Sequence, residues 1–192
     1  MLALAEIFYS VQGEGVWTGT PAVFVRLAGC NLNCRFCDTD YATKAFLSVE
    51  AIVARVRELG GDCPMVILTG GEPFAQAESS VLIDALRADG RRVHIESNGS
   101  IAVDLASDVW LTVSPKERLT PEMAARANEI KLIVDGRVPD EWLASFGTRP
   151  LPTFLQPEGN KPANVALAID AAKARPDRFR LGLQTHKFIG IR

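Results

Sequence analysis

Short apolar runs, each closed by a turn-forming residue, recur along this chain and alternate with segments of helical period, and this alternation restricts its fold most tightly. The runs are Val23 to Ala28, Met65 to Leu68, Val93 to Ile95, Val109 to Val113, Ile130 to Val134 and Thr153 to Leu155, with a last candidate at Arg180 to Leu183. Their Gly, Pro, Asn or Asp boundaries mark them as strands. Met65-Val66-Ile67-Leu68 is apolar at every position, as suits a strand covered on both faces. Ser48 to Leu59 places Val49, Ile52, Val53, Val56 and Leu59 on one helical stripe behind a capping serine. Ser79 to Ala88, closed by Gly90, and Ala163 to Ala174, stopped by Pro176, read the same way. Helical signal thins over Ile101 to Ala106 and Leu119 to Asn128. The expected fold is α/β, a partial (β/α) barrel of about six mostly parallel strands with some abbreviated crossovers, too few strands for a closed eight-stranded barrel.

A length of 192 residues suits a single domain over residues 1–192. A net charge of -2 offers no electrostatic footprint for nucleic acid, so the expected partner is a small molecule. No apolar run approaches a membrane span, and Met1-Leu-Ala-Leu-Ala is too short for a leader. Three of the four cysteines crowd into eight residues, unlike a secreted disulfide framework. The expected location is cytoplasmic, where thiols stay reduced.

Those three, Cys30, Cys34 and Cys37, stand at C-x3-C-x2-C spacing in Gly29-Cys30-Asn31-Leu32-Asn33-Cys34-Arg35-Phe36-Cys37-Asp38-Thr39. Three thiolates on one loop can ligate three irons of a four-iron cube and leave the fourth for another ligand, whereas a purely electron-transferring cluster normally takes four cysteines. Structural zinc is the other reading, its fourth ligand drawn from Cys63, His94 or His186. Polar segments fall in or after the carboxyl ends of the apolar runs: Thr69-Gly70-Gly71-Glu72-Pro73, Glu96-Ser97-Asn98-Gly99, Ser114-Pro115-Lys116 and Gln156-Pro157-Glu158-Gly159, with Lys131 inside a run. In parallel α/β folds that edge carries the ligand site. Gln12-Gly13-Glu14-Gly15 is expected to precede the first strand by a short loop. Arg26 lies in an otherwise apolar strand, where a guanidinium needs a partner, either a ligand anion or an internal carboxylate. The apolar ending Phe188-Ile189-Gly190-Ile191 suggests a terminus tucked into the protein.

The cysteine loop resembles that of the radical S-adenosylmethionine enzymes, with Phe36 as the aromatic beside the last cysteine. With Phe8-Tyr9-Ser10-Val11-Gln12-Gly13-Glu14-Gly15, Arg26, Cys37-Asp38-Thr39, Glu96-Ser97-Asn98-Gly99 and Gln184-Thr185-His186-Lys187, the whole chain is similar to the 7-carboxy-7-deazaguanine synthases. The resemblance implies a 4Fe-4S cluster on Cys30, Cys34 and Cys37, with S-adenosylmethionine on the fourth iron cleaved to methionine and a 5′-deoxyadenosyl radical. It implies cofactor contacts from Phe36, Cys37 and Asp38, from Gly71 and Glu72, from Ser114, Pro115 and Lys116, and from Gln156, Pro157, Glu158 and Gly159. It implies a pterin substrate held by Val11, Gln12, Gly13 and Glu14, by Arg26 on its carboxylate, and by Thr69, Glu96, Asn98, His186 and Arg192. Thr39 is implied as a ligand of Mg²⁺, with Asp38 the competing choice; one threonine oxygen suffices for a hard ion that keeps substrate oxygens and waters. An electron donor such as flavodoxin or ferredoxin and a homodimer are implied as well. His94 and Cys63 read as structural. A glycyl-radical activating enzyme remains the rival within enzymes, and a zinc-binding module the rival outside them.

Overall fold

The computed structural model describes residues Met1–Arg192 as nine strands and five α-helices, joined by loops and short 3-10 turns. By internal packing the chain forms two compact units. The first comprises Met1–Val11, Thr20–Ser97 and Val103–Leu111, and the second Gln12–Gly19, Asn98–Ala102 and Thr112–Arg192.

In the first unit the strands are β1 (Leu2–Val11), β2 (Pro21–Leu27), β3 (Ala45–Leu47), β4 (Met65–Gly70) and β5 (Arg92–Ser97), side by side in the order β3-β1-β2-β4-β5. β1 runs antiparallel to both β2 and β3, while β2, β4 and β5 are parallel. Helices α1 (Val49–Gly60) and α2 (Ser79–Ala88) make the crossovers. α1 begins where Ser48 accepts a hydrogen bond from Ala51 N–H, and it buries Ile52, Val53 and Val56. Val66, Ile67 and Leu68 are wholly buried, as the unbroken apolar run required.

In the second unit Thr112 and Val113, the last two residues of β6 (Trp110–Val113), pair with β7 (Glu129–Val134), followed by β8 (Thr153–Pro157) and β9 (Arg180–Leu181), all parallel. Helix α3 (Pro121–Arg126) is short, α4 (Pro162–Ala174) precedes β9, and α5 (Thr185–Ile189) lies near the end of the chain. The fold is α/β with a mostly parallel sheet.

All seven apolar runs are strands, but two further strands correct the count of about six. β1 escaped the pattern because a register shift between Leu4 and Glu6 breaks its alternation. β3 is a short, largely exposed edge. Gln12–Gly15 therefore follow β1 and enter the loop to β2, rather than preceding the first strand. Residues 101–106 form no helix. The terminus is not tucked in: Phe188 and Ile189 are 63% and 66% exposed, and Arg192 is exposed too.

Candidate active site

In the first unit β2 ends at Leu27, and residues 28–44 form a loop with neither helix nor strand. Irregular backbone lets three thiols project from one short stretch. Leu32 N–H donates to Cys30 Sγ at 3.4 Å, and Cys37 N–H closes a turn on Cys34 O at 3.1 Å. None of the three thiols is in a disulfide, and no three or more His, Cys, Asp or Glu side chains form a metal-holding group. Burial, reinforced by the nearby Glu72 carboxylate, pushes the Cys30 thiol above its ordinary value. The donor set nonetheless fits an iron–sulfur cube in kind and number: three soft sulfurs, one already receiving the N–H···S bond that tunes such ligands. Cys63 cannot complete a zinc site here. Its Sγ donates to Pro21 O, at the start of β2, whereas Cys30 follows the end of that strand, about 20 Å away along its length.

The glycine turn after β4 is packed against this loop. A Cβ on Gly71 would stand 2.0 Å from Gly29 O and 2.6 Å from Cys30 Cβ, so only glycine allows the approach. Glu72 N–H donates to Gly29 O at 3.1 Å. The Glu72 side chain is fully buried, and its Oε1 accepts from Phe74 N–H and Ser97 Oγ. Gln76 steadies the preceding corner, exchanging two hydrogen bonds with Ala3 and donating to Ala28 O.

Arg26 Nε lies 2.9 Å from Glu6 Oε1 across the β1–β2 pair, with its guanidinium 5.9 Å from the Phe8 ring centroid. The internal ion pair weighed for this arginine is thus present. Thr69 and Glu96 stand at the carboxyl ends of β4 and β5, with Glu96 3.5 Å from His94 Nε2. Thr39 Oγ1 is 3.5 Å from Asp38 Oδ1, in the part of the loop beyond Cys37.

In the second unit, Gln12, Gly13 and Glu14 meet the segment around α5, with Val11 directly before them at the end of β1. Gln12 Oε1 accepts from Glu14 N–H at 3.2 Å. Glu14 Oε2 is 2.6 Å from Lys131 Nζ, and its Oε1 accepts from Gln184 Nε2 at 3.0 Å. Burial pushes the Glu14 carboxyl up, but the Lys131 ammonium, with help from Gln184 and His186, brings it below the usual carboxylate range. Thr185 donates to Gly13 O through both N–H and Oγ1, and a Cβ on Gly13 would stand 2.3 Å from His186 Nδ1. Gln12, Gly13, Glu14 and His186 are therefore gathered. Lys131 and Gln184 join them: the sequence places Lys131 with the polar segments of the ligand edge and Gln184 in the Gln184-Thr185-His186-Lys187 stretch, but gives neither a role of its own.

The carboxyl ends of β6 and β8 carry the other second-unit residues. Ser114 and Pro115 are buried, and Lys116 Nζ donates to Ser114 O at 3.0 Å and to its hydroxyl. Gln156 and Pro157 are buried at the end of β8. Glu158 pairs with Lys161 at 2.6 Å, and Gly159 turns with φ +58°. Asn98 Oδ1 accepts from Ser100 N–H at 2.8 Å. Arg192 is exposed.

Comparison with known proteins shows the family to which the chain belongs. Residues 24–110 match the Radical SAM superfamily. The 7-carboxy-7-deazaguanine synthase of Bacteroides thetaiotaomicron is 40% identical over 100% of both chains, and that of Burkholderia multivorans 39% identical over 98% of each. The chain belongs to this synthase family. A crystal structure of QueE from Escherichia coli, 30% identical, superposes with a TM-score of 0.80 over 95% of this chain and 93% of that one. Family membership makes the chain a radical S-adenosylmethionine enzyme with a 4Fe-4S cluster, a small-molecule substrate and a reductant. No helix is long and apolar enough to cross a membrane.

Proposed function

We propose that the chain converts 6-carboxy-5,6,7,8-tetrahydropterin to 7-carboxy-7-deazaguanine by ring contraction with loss of ammonia, in the biosynthesis of queuosine and related 7-deazapurines. The full-length likeness to proteins named for that product carries the reading. When bound, the cluster and S-adenosylmethionine supply one-electron reduction and reversible hydrogen-atom transfer; the protein supplies binding, orientation and exclusion of water. Cys30, Cys34 and Cys37 would hold the cluster. Carbonyl groups of the Gly70-Gly71 turn would accept from the cofactor ammonium, with Phe36, Ser114, Lys116 and Gln156 along its length.

Gln12 and Glu14 present an amide and an ionised carboxylate, the complement of an amino-pyrimidinone edge. Arg26 would take the substrate carboxylate with the part of its fork not given to Glu6. Thr39 would give Mg²⁺ one oxygen, the ion then polarising the same substrate carboxylate. The rest of the reading is a single catalytic domain over residues 1–192, acting as a cytoplasmic homodimer reduced by flavodoxin or ferredoxin.

The test is anaerobic reconstitution with iron and sulfide, then incubation with reductant, S-adenosylmethionine, Mg²⁺ and the tetrahydropterin. Appearance of the deazaguanine chromophore and mass is expected. Cleavage of S-adenosylmethionine without that product would overturn the substrate assignment.

A further inference from the structure

Strand β7 carries two buried side chains of opposite charge at alternate positions, Glu129 and Lys131, and both hold the segment that follows β1. Glu129 Oε2 accepts from Val16 N–H at 3.0 Å. Gly15, with φ +67°, passes so close that a Cβ there would stand 2.0 Å from Glu129 Oε1. Lys131 Nζ takes Glu14 Oε2 at 2.6 Å, and Gln184 Nε2 takes Oε1 at 3.0 Å. Gln184 is itself held by Lys187, whose Nζ donates to Gln184 Oε1 at 2.9 Å.

Each oxygen of an ionised carboxylate offers two acceptor sites. Lys131 and Gln184 occupy one on each oxygen of Glu14, which leaves one acceptor site on each oxygen. That pair matches two parallel N–H donors, such as the amino group and ring N–H of a 2-amino-4-oxopyrimidine. Stability alone does not call for this arrangement, because a buried ion pair can often be replaced by apolar groups without loss.

We infer that Lys131 is a positioning residue for substrate: with Gln184 it fixes the Glu14 carboxylate so that its two remaining acceptor sites read the paired N–H donors of the pterin. The inference rests on the proposed pterin reading through Glu14. The charged groups facing Glu14 are Lys131 on β7 and His186 on α5, with Lys187 behind Gln184 and Glu129 on the same strand as Lys131. Burial drives the carboxyl toward its protonated form, and Lys131 is the largest influence opposing it. Without that ammonium Glu14 takes up a proton at higher pH and loses one of the two acceptors the substrate needs.

The test measures pterin Kd by calorimetry on the unreduced, reconstituted holoenzyme across pH, with kcat and KM alongside. Lys131→Met is expected to weaken binding about 10- to 100-fold and to move the acidic limb of binding to higher pH. Lys131→Arg, which keeps the charge, restores both. Glu14→Gln weakens binding, and adding Lys131→Met to it costs little more, because the two act as one unit. If Lys131→Met does not fold, that double variant, free of an unpaired buried charge, decides: a Kd equal to that of Glu14→Gln supports the inference, and a further large loss overturns it. Glu14→Gln weakening binding while Lys131→Met leaves Kd and its pH dependence unchanged would refute the inference and leave the pterin reading standing. An unchanged Kd for Glu14→Gln itself would remove both.

Discussion

Ser97 Oγ donates to Glu72 Oε1 at 2.9 Å, linking the last residue of β5 to the glycine turn that follows β4. The same oxygen accepts from Phe74 N–H at 3.2 Å, and Glu72 N–H reaches back to Gly29 O at 3.1 Å. One carboxylate oxygen of the Gly-Gly-Glu-Pro glutamate is therefore given to the shape of the turn. Glu72→Ala removes the acceptor that Ser97 Oγ and the buried Phe74 N–H share, at a cost of about 1–3 kcal/mol. Thermal unfolding followed by circular dichroism should show Tm falling by about 2–4 °C for each kcal/mol. Glu72→Gln, which keeps an acceptor oxygen, should lose clearly less.

Gly71 is where the turn and the cysteine loop touch. Gly71→Ala places a methyl group 2.0 Å from Gly29 O, against backbone that cannot swing aside as a flexible side chain would. The expected outcome is a displaced Cys30 and less iron and sulfide per chain after reconstitution. Iron and sulfide at wild-type levels would show that the close packing is not needed for cluster assembly.

Arg26 and Glu6 are each only about one-fifth exposed, 21% and 22%, so removing the guanidinium takes the ion partner from a mostly buried carboxylate. Arg26→Met should therefore lower the urea midpoint, and Arg26→Lys should lower it less. If the guanidinium also takes the substrate carboxylate, KM rises about 10- to 100-fold with kcat affected less. Steady-state kinetics with the carboxylated tetrahydropterin make that comparison, and an unchanged KM would return Arg26 to a purely structural role.

Asp89 caps α2 beside two arginines. Hydrogen bonding from Arg57 is the main reason its carboxyl lies below the ordinary 3.8; burial opposes the shift, and Arg91 adds to it. A carboxyl held lower in the folded than in the unfolded chain contributes stability that is complete above the unfolded value and fades as pH falls through the folded one. Urea midpoints should therefore drop more for wild type than for Asp89→Asn between about pH 5 and pH 3. Equal drops would show that the arginines do not act through Asp89.

The parallel strands were legible because burial on both faces leaves continuous apolar runs, as in Val66, Ile67 and Leu68. β1 was not, since its bulge at Leu4–Glu6 scrambles the two-residue period and it exposes Tyr9. The exposed tail shows the limit of composition: Phe188 and Ile189 are apolar, yet the short α5 docks through Thr185 and His186 rather than through them. The crowding of three cysteines on one loop was legible from spacing, with the choice between cluster and zinc left to the family resemblance, whereas Lys131 and Gln184 meet Glu14 across 117 and 170 residues of chain. Strand register brings them together, and no local motif encodes register. For Lys131 the trace was Glu129-Ile130-Lys131 within an apolar strand, two charges at alternate positions on one face, and for Gln184 its place in the Gln184-Thr185-His186-Lys187 stretch.

The proposed chemistry depends on a cube held by three thiolates with one iron open to S-adenosylmethionine. Electron paramagnetic resonance of the reduced, reconstituted protein, recorded with and without S-adenosylmethionine, tests this most directly. A 4Fe-4S signal that changes when S-adenosylmethionine is added, and that disappears with loss of iron in Cys34→Ala, is the predicted result. A signal indifferent to S-adenosylmethionine, or protein that binds zinc in place of iron and sulfide, would contradict it.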